Sequence, residues 1–489
     1  MIMPRPTSLR VAASLAILFA LPVAATAQGA ARLTLADALA MAAEHSEVIQ
    51  IARAGEVRAD ADAQRIASQR LPQVNFAGTY SRTLASEFSN AFSSSAPACD
   101  PLRVDPSRPL SDRVSEIERA AGCGGLGSSF SLNNLPFGQR NVYQAGFTFS
   151  QALYTGGRIT AQQRQADVSR RIATLTTTAT EGQLRLDVAR AFYAAALTDR
   201  LLAIAESVYA QAGAAYDQTR LAFDAGRQPE FELLRAQVAR DNQRPTVIRR
   251  RADRDVAYLR LRQLLQLPAD APLTLDVDLE NPTLPIPEPF AVDLIKAKET
   301  SEIERVALVQ SQAAVEIQEA AVAVAHAQRL PSLGLSSSYA RVGYPSDGVI
   351  PGPGDFRTNW SLSTTVQMPL FTGRRLQAEE LAAHADLDQA RAQVAQAREL
   401  AALDTATAKQ DLTAAEAAWE ASGGTIQQAE RAHQIAELRN REGLSTQLEL
   451  ADSRLALEIA QANRAQAAHD LQVARARVAL LPTLPITGR

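Results

Sequence analysis

"QALYTGGRITAQQR" occupies Gln151–Arg164, and "QMPLFTGRRLQAEE" occupies Gln367–Glu380. Each places an aromatic residue, Tyr154 or Phe371, before Thr-Gly, then arginine, then a long polar, alanine-rich run. Gly156 and Gly373 stand 217 residues apart. "LAFDAGRQPEFELLRAQ" from Leu221 and "LRNREGLSTQLELADSR" from Leu438 share that offset, aligning Gly226 with Gly443 and Glu232 with Glu449. Gly156 to Gly226 and Gly373 to Gly443 are therefore both 70 residues, so an element of fixed length is duplicated without a gap. A third pair, "QRLPQVNFAGTYSR" from Gln69 and "QRLPSLGLSSSYAR" from Gln328, is offset by 259. The change from 259 to 217 assigns 42 extra residues to the first copy between Pro72 and Gly156, and predicts a long loop there.

The segments of equal length read as helix. No proline occurs from Gly157 to Phe223, and Leu202, Ala205, Tyr209, Ala212, Tyr216 and Phe223 recur at the three- and four-residue steps of a coiled-coil seam. At 1.5 Å per residue such a helix is ~100 Å long. The second copy runs without proline from Leu370 to Leu481, and Gly423-Gly424 is its one internal weak point. Thr34–Leu71, Glu230–Leu267, Phe290–Leu330 and Ser445–Leu481 read as helices of about half that length, ~55–60 Å each. Pro245 is expected to kink one of them.

The runs before each junction alternate with period two. Val74, Phe76 and Tyr80 oppose Gln73, Asn75 and Thr79, and Tyr143, Phe147, Phe149 and Leu153 oppose Gln144, Thr148 and Ser150. In the second copy Leu333, Leu335 and Tyr339 oppose Ser332, Ser336 and Ser338, while Trp360, Leu362 and Val366 oppose Asn359, Ser361 and Ser363. Strands of about ten residues with one apolar and one small-polar face fit lipid on one side and water on the other. A soluble sheet of two hairpins packed on helices is the competing reading. Tyr80, Tyr154, Trp360 and Phe371 are the expected membrane-interface aromatics. Four strands leave two edges that lipid does not tolerate, so the barrel must close between chains: eight strands in a dimer, twelve in a trimer. Eight barely leaves a lumen, which favours three chains. The glycines and arginines Gly156, Gly157, Arg158, Gly373 and Arg374 then mark where strand turns into helix at the membrane surface.

Composition sets the compartment. The 489 residues carry a formal net charge of −3, with 21% charged and 5% aromatic residues, which gives no reason to expect a nucleic-acid partner. Arg5 and Arg10, the apolar Val11–Val23 run and Ala25-Thr26-Ala27 form the three parts of a secretory signal peptide at residues 1–27. Beyond it no apolar run is long enough for a spanning helix. Cys99 and Cys123 are the only cysteines, and an oxidising compartment favours a disulfide between them over two free thiols. The remaining chain divides into a first structural repeat at 28–266 with a hairpin over 72–154, a Pro-rich equatorial linker at 267–289, and a second repeat at 290–489 with a hairpin over 331–371.

In this order and spacing, "LTLADALAMAAEHS", both "QRLP" runs, "LYTGGR", "LFTGRR" and the two turns resemble the TolC family of outer-membrane channel proteins across about Leu33–Leu481. The resemblance implies a mixed α/β membrane protein: a homotrimeric twelve-stranded antiparallel β-barrel, four strands per chain, continued by a long α-helical coiled-coil tunnel. It implies an exit duct of a tripartite efflux pump or type I secretion system, in the outer membrane of a Gram-negative bacterium. Its expected partners are outer-membrane lipid, a periplasmic adaptor (membrane fusion protein) and an inner-membrane transporter of the RND or ABC type. By the same resemblance Gly226, Arg227, Gly443, Leu444 and Ser445 form adaptor-contact tips. Glu232, Glu449 and Asp452 line a periplasmic gate, and as threefold carboxylate rings they would favour cations; an ordinary solvated helix face is the alternative. Three residues before the turn glycine the family usually has an aromatic; Phe223 fits and Asn440 does not.

A periplasmic coiled-coil adaptor or scaffold without a pore is the competing function, but it calls for one hairpin and an inner-membrane anchor. The sequence has two hairpins and no anchor. "GCGGLG" from Gly122 matches a dinucleotide pattern but lacks its strand–helix context. His45, His326, His384, His433 and His469 stand apart on separate runs, so no metal or other cofactor is expected. Arg249, Arg250, Arg251 and Arg254 suggest either an anion or lipid site or, more simply, a salt-bridged helix face. No catalytic motif is present, so no enzyme is expected.

Overall fold

A computed structural model describes residues 32–85, 102–122, 141–281, 283–299, 304–345, 350–442 and 444–486. The signal-peptide segment, Cys99, Cys123 and Gly443 lie outside the described residues. The chain forms two compact units, one from residues 1–46, 184–301 and 408–480, the other from 47–183, 302–407 and 481–489.

The second unit carries the sheet. Strands β2 (Gln73–Arg82), β3 (Asn141–Tyr154), β5 (Ser332–Gly343) and β6 (Phe356–Gln367) pair antiparallel in the order β2-β3-β5-β6. Gln73, Ser150, Ser336 and Ser363 share one rung, and Phe76, Phe147, Tyr339 and Trp360 share another. A bulge interrupts β3 between Ala152 and Tyr154. Gly146 is required where β3 meets β5, because a Cβ there would lie 2.5 Å from the Tyr339 carbonyl oxygen. The inserted segment is not all loop: Leu110–Gly122 is helix α3, started at Pro109 and placing Val114 and Ile117 three residues apart.

Helix α2 (Glu47–Ser68), α7 (Val306–Ala327), the first part of α4 (Arg158–Asp224) and the first part of α8 (Arg375–Arg441) complete this unit. Its side chains interlock by ion pairs, Arg171–Glu316 at 2.5 Å and Arg329–Glu380 at 2.6 Å among them. The chain end is tied in by Arg305, whose side chain is 1% exposed. Arg305 donates to Asp404 Oδ2 at 2.9 Å and to the carbonyls of Leu484 and Pro485 at 3.3 and 3.2 Å, while the Val306 amide donates to the Pro482 carbonyl at 2.9 Å.

In the first unit, β1 (Arg32–Leu33) pairs parallel with β4 (Thr274–Leu275), and Thr34 caps α1 (Leu35–His45) through a reciprocal box with Asp37. Helix α5 (Glu230–Leu264), α6 (Ala291–Glu299), α9 (Gln447–Leu480) and the remainders of α4 and α8 surround a seam rich in small side chains, with Phe192, Val188, Leu261, Phe290, Leu294, Leu471 and Val478 at its centre. The buried C-terminal part of α9 also serves the Pro-rich linker, where Gln472 donates to the Pro285 carbonyl at 2.9 Å and Arg475 to that of Leu284 at 2.7 Å. Those carbonyls have no ladder partner and would otherwise be left unpaired.

Two expected half-length helices are broken. Thr34–Leu71 divides at Ser46, whose backbone is extended (φ −62°, ψ 122°). Serine competes poorly for a helix interior, because its hydroxyl offers the backbone other partners. Phe290–Leu330 divides between α6 and α7, where Arg305 leaves the helical conformation (φ −103°, ψ 131°) and its side chain is buried. Pro245 lies inside α5 and Gly423-Gly424 inside α8, and both helices continue through them.

Candidate functional site

The sheet has two chemically distinct faces. On one, Val74, Phe76, Tyr80, Phe147, Tyr339, Trp360, Leu362 and Val366 are all exposed, although each is a large apolar or aromatic side chain. They stack across strands: Phe76 on Phe147 at 5.1 Å, Tyr80 on Tyr143 at 4.6 Å and Tyr339 on Trp360 at 6.4 Å between centroids. The other face presents Gln73, Asn75, Gln144, Thr148, Ser336, Ser338, Ser361 and Ser363, and Ser336 and Ser363 share a 2.7 Å hydrogen bond. An unpartnered band of aromatics on one side and a carpet of hydroxyls and amides on the other is what separates lipid from water. No described helix is long and apolar enough to cross a membrane.

The strand–helix junctions share a backbone device. Gly156 and Gly157 take φ of 62° and 86°; Gly373 and Arg374 take 58° and 67°. Two successive left-handed residues turn the chain out of the strand, a conformation that glycine adopts freely and that costs about 1–2 kcal/mol at a residue such as Arg374. Gly156 also has no room for a side chain, since a Cβ would lie 2.7 Å from that of Leu330. Tyr154 and Phe371 stand exposed beside the junctions, with Phe371 at 90%.

The helix turns are built alike. After α4 the Arg227 amide reaches back to the Ala222 carbonyl at 2.8 Å with Gly226 at φ 69°, a Schellman ending. After α8 the Leu444 amide makes the same reach to the Arg439 carbonyl at 2.8 Å. Pro229 and Thr446 start the return helices, Thr446 through an Oγ1 that accepts the Glu449 amide at 3.2 Å. Asn440 takes a structural part in the second turn. Its Nδ2 donates to the Ser445 carbonyl at 3.2 Å and its Oδ1 accepts from Gln447 at 3.4 Å.

The three carboxylates expected at a gate, Glu232, Glu449 and Asp452, sit just past these turns without a hydrogen bond or ion pair between them. Glu232 lies 4.0 Å from Arg235 on its own helix, and Glu449 pairs across its own turn with Arg439 at 3.1 Å. Asp452 is exposed, with no ion pair among the described residues. The Arg439 contact was absent from the sequence reading, although a basic residue ten positions ahead of an acidic one across a glycine turn is a usable signal. One turn further along, His433 hydrogen-bonds Ser453 at 3.2 Å, and burial together with the nearby Arg454 guanidinium lowers its pKa.

The arginine cluster of α5 is a bridged face. Arg251 pairs with Glu206 at 2.8 Å, Arg254 with Asp199 at 2.5 Å and Arg250 with Asp253 at 3.9 Å. Asp199 also accepts from the Tyr258 hydroxyl, and burial, reinforced by that hydrogen bond, raises the Tyr258 pKa. No group of three or more potential metal ligands occurs among the described residues.

Comparison with known proteins completes the picture. A family model described as "Outer membrane efflux protein" matches residues 121–266 and 299–481. No curated protein matches the chain. Among solved structures, the outer membrane protein VceC from Vibrio cholerae is similar with a TM-score of 0.67 at 17% identity, over 92% of this chain and 96% of that one. The CmeC outer membrane channel of Campylobacter jejuni gives 0.68 at 14% identity over 93% and 87%. The open state of the Neisseria gonorrhoeae MtrE outer membrane channel gives 0.62 at 17% identity over 92% and 89%. These likenesses concern the fold, a mixed α/β architecture that is mostly helical.

Proposed function

The chain belongs to the outer membrane efflux protein family, and from that premise we propose how it works as an outer-membrane exit duct for efflux. The single observation that carries the proposal is the four-stranded sheet with β2 and β6 as open edges. Unpaired strand edges are not tolerated in lipid, so β6 of one copy must pair with β2 of the next. Three copies give a twelve-stranded barrel with a water-filled lumen, lined by the serine, threonine, asparagine and glutamine face; two give eight strands and almost no lumen. The duplicated spacing of junctions and turns supports two repeats, 28–266 and 290–489, joined by the 267–289 linker, and hence twelve helical staves in a trimer.

The duct is passive, and the energy for export comes from an inner-membrane transporter of the RND or ABC type. The turns that carry Gly226, Arg227, Leu444 and Ser445, with Gly443 beside the last two in sequence, are helix ends of the kind a periplasmic adaptor's hairpins can engage. Glu232, Glu449 and Asp452, repeated three times, would set a negative potential at the periplasmic entrance.

The test is heat-modifiable migration of protein extracted from outer-membrane fractions, with mass by light scattering in detergent. A membrane-extracted trimer that falls to ~50 kDa on boiling fits a barrel closed between chains. A water-soluble monomer overturns it.

A further inference from the structure

Strands β2, β3, β5 and β6 contain no aspartate or glutamate, and their three charged residues, Arg82, Arg341 and Arg357, all stand toward the loop end of the sheet. Arg357 belongs to the polar face. Arg341 belongs to the apolar face, on a rung with Gly78, Ala145 and Thr358. Two residues toward the helices lies the aromatic rung of Phe76, Phe147, Tyr339 and Trp360; two residues toward the loops lies that of Tyr80, Tyr143, Gly343 and Phe356. Small neighbours between two aromatic walls leave a trough with a cation in its floor. Phe356 fills the space over Gly343, where a Cβ would lie 2.9 Å from its ring, so the outer wall continues across all four strands.

The Arg341 side chain bends outward. It is exposed, and its Nη2 lies 3.5 Å from the Phe356 carbonyl, one strand over and nearer the loops. A guanidinium on a lipid-facing surface extends toward the headgroups in this way, and its planar fork matches the oxygens of a phosphate. One long hydrogen bond leaves most of its five donors unused within the described residues. Arg82 lies on the same face, four residues beyond Gly78 and ~13 Å further along the strand.

We propose that this trough binds the phosphate of an anionic lipid headgroup, with Arg341 as the direct ligand, Arg82 as a second cation further out, and the lipid's chains lying over the aromatic rung below. The inference rests on the reading that the apolar face meets lipid. It does not depend on how many chains close the barrel, because β5 and both its neighbours come from one chain.

The experiment is native mass spectrometry of the detergent-extracted protein, titrated with phosphatidic acid or with diacylglycerol of the same chains. Wild type should retain phosphatidic acid at least about tenfold more tightly, the scale of a charge-assisted contact. R341Q should lose about that factor, R341K should keep part of it, and R357Q, on the opposite face, should keep all of it. Equal retention of the two lipids, an unchanged preference in R341Q, or displacement of phosphatidic acid by millimolar inorganic phosphate would each overturn the proposal. Heat-modifiable migration of every variant shows that the barrel has formed. A protein recovered without detergent sinks the membrane reading itself, whereas an extracted oligomer with no lipid preference sinks only the site.

Discussion

Arg439 and Glu449 meet across the second helix turn, with guanidinium and carboxylate 3.1 Å apart, while Asp452, three residues along the same helix, has no such neighbour among the described residues. The two proposed gate carboxylates of α9 are therefore unequal. The charge of Glu449 is already offset, so Asp452 should dominate the field at the entrance. In planar bilayers under a salt gradient, Asp452→Asn should reduce cation preference more than Glu449→Gln, and Arg439→Gln should increase it. Both partners are close to half exposed, so the pair itself contributes no more than about 1 kcal/mol to stability. Equal shifts of reversal potential for the two carboxylate variants would contradict the assignment.

The Arg305–Asp404 pair is the opposite case. Its side chains are 1% and 10% exposed, and the guanidinium also holds the Leu484 and Pro485 carbonyls. Asp404→Ala leaves a buried cation without its counter-charge and should cost about 3–5 kcal/mol. Adding Arg305→Met to Asp404→Ala removes the stranded charge and keeps most of the volume, so the double variant should cost less than Asp404→Ala alone. Denaturant unfolding orders the two variants. Limited proteolysis near Pro485 should detect release of the chain end in both.

Glycines of different origin should respond in opposite directions to alanine. Gly424 lies in the interior of α8 with nothing within 4 Å of its missing Cβ, so Gly424→Ala should stabilise by about 0.5–1 kcal/mol. Gly146→Ala forces a Cβ against the β5 backbone, with contacts of 2.5 and 2.7 Å, and should impair sheet formation and oligomer yield. Unfolding midpoints for the first and heat-modifiable migration for the second test both.

These contrasts also mark how far the sequence could be read. The sheet was legible because period-two runs such as Phe76–Thr79 and Trp360–Ser363 separate two solvents, and the long helices because nothing in Gly157–Phe223 interrupts them. The breaks at Ser46 and Arg305 carry no proline or glycine. At Ser46 the one local signal is the serine itself, and at Arg305 the break follows from a tertiary tie, a buried guanidinium, that no local pattern announces. Helix α3 was hidden differently: its amphipathic Val114 and Ile117 were in view, but the glycines and cysteines around them suggested loop throughout. That Glu232 and Glu449 begin the return helices was legible from the duplicated turns, whereas the Arg439 contact and the role of Asn440 needed coordinates.

Alkaline pH should reveal the two buried phenols of the first unit. Burial raises the pKa of Tyr193, and burial with the Asp199 hydrogen bond raises that of Tyr258, both above the value of about 10 for a free tyrosine. A raised folded-state pKa means that above pH ~10 the unfolded chain loses phenolic protons that the folded chain keeps. Their contribution to stability is thus whole below pH ~10 and is lost as pH rises from there toward the folded-state pKa values. Denaturant midpoints should be flat in this respect up to pH ~10 and fall beyond it. Tyr193→Phe removes a desolvated hydroxyl with little change in shape, so it should flatten the alkaline fall at small cost near neutrality. Tyr258→Phe should flatten it too, but at neutral pH it should cost about 1–2 kcal/mol more, because Asp199 loses a donor and is left with Arg254. An alkaline fall of the same steepness in the double variant would assign the effect to other groups.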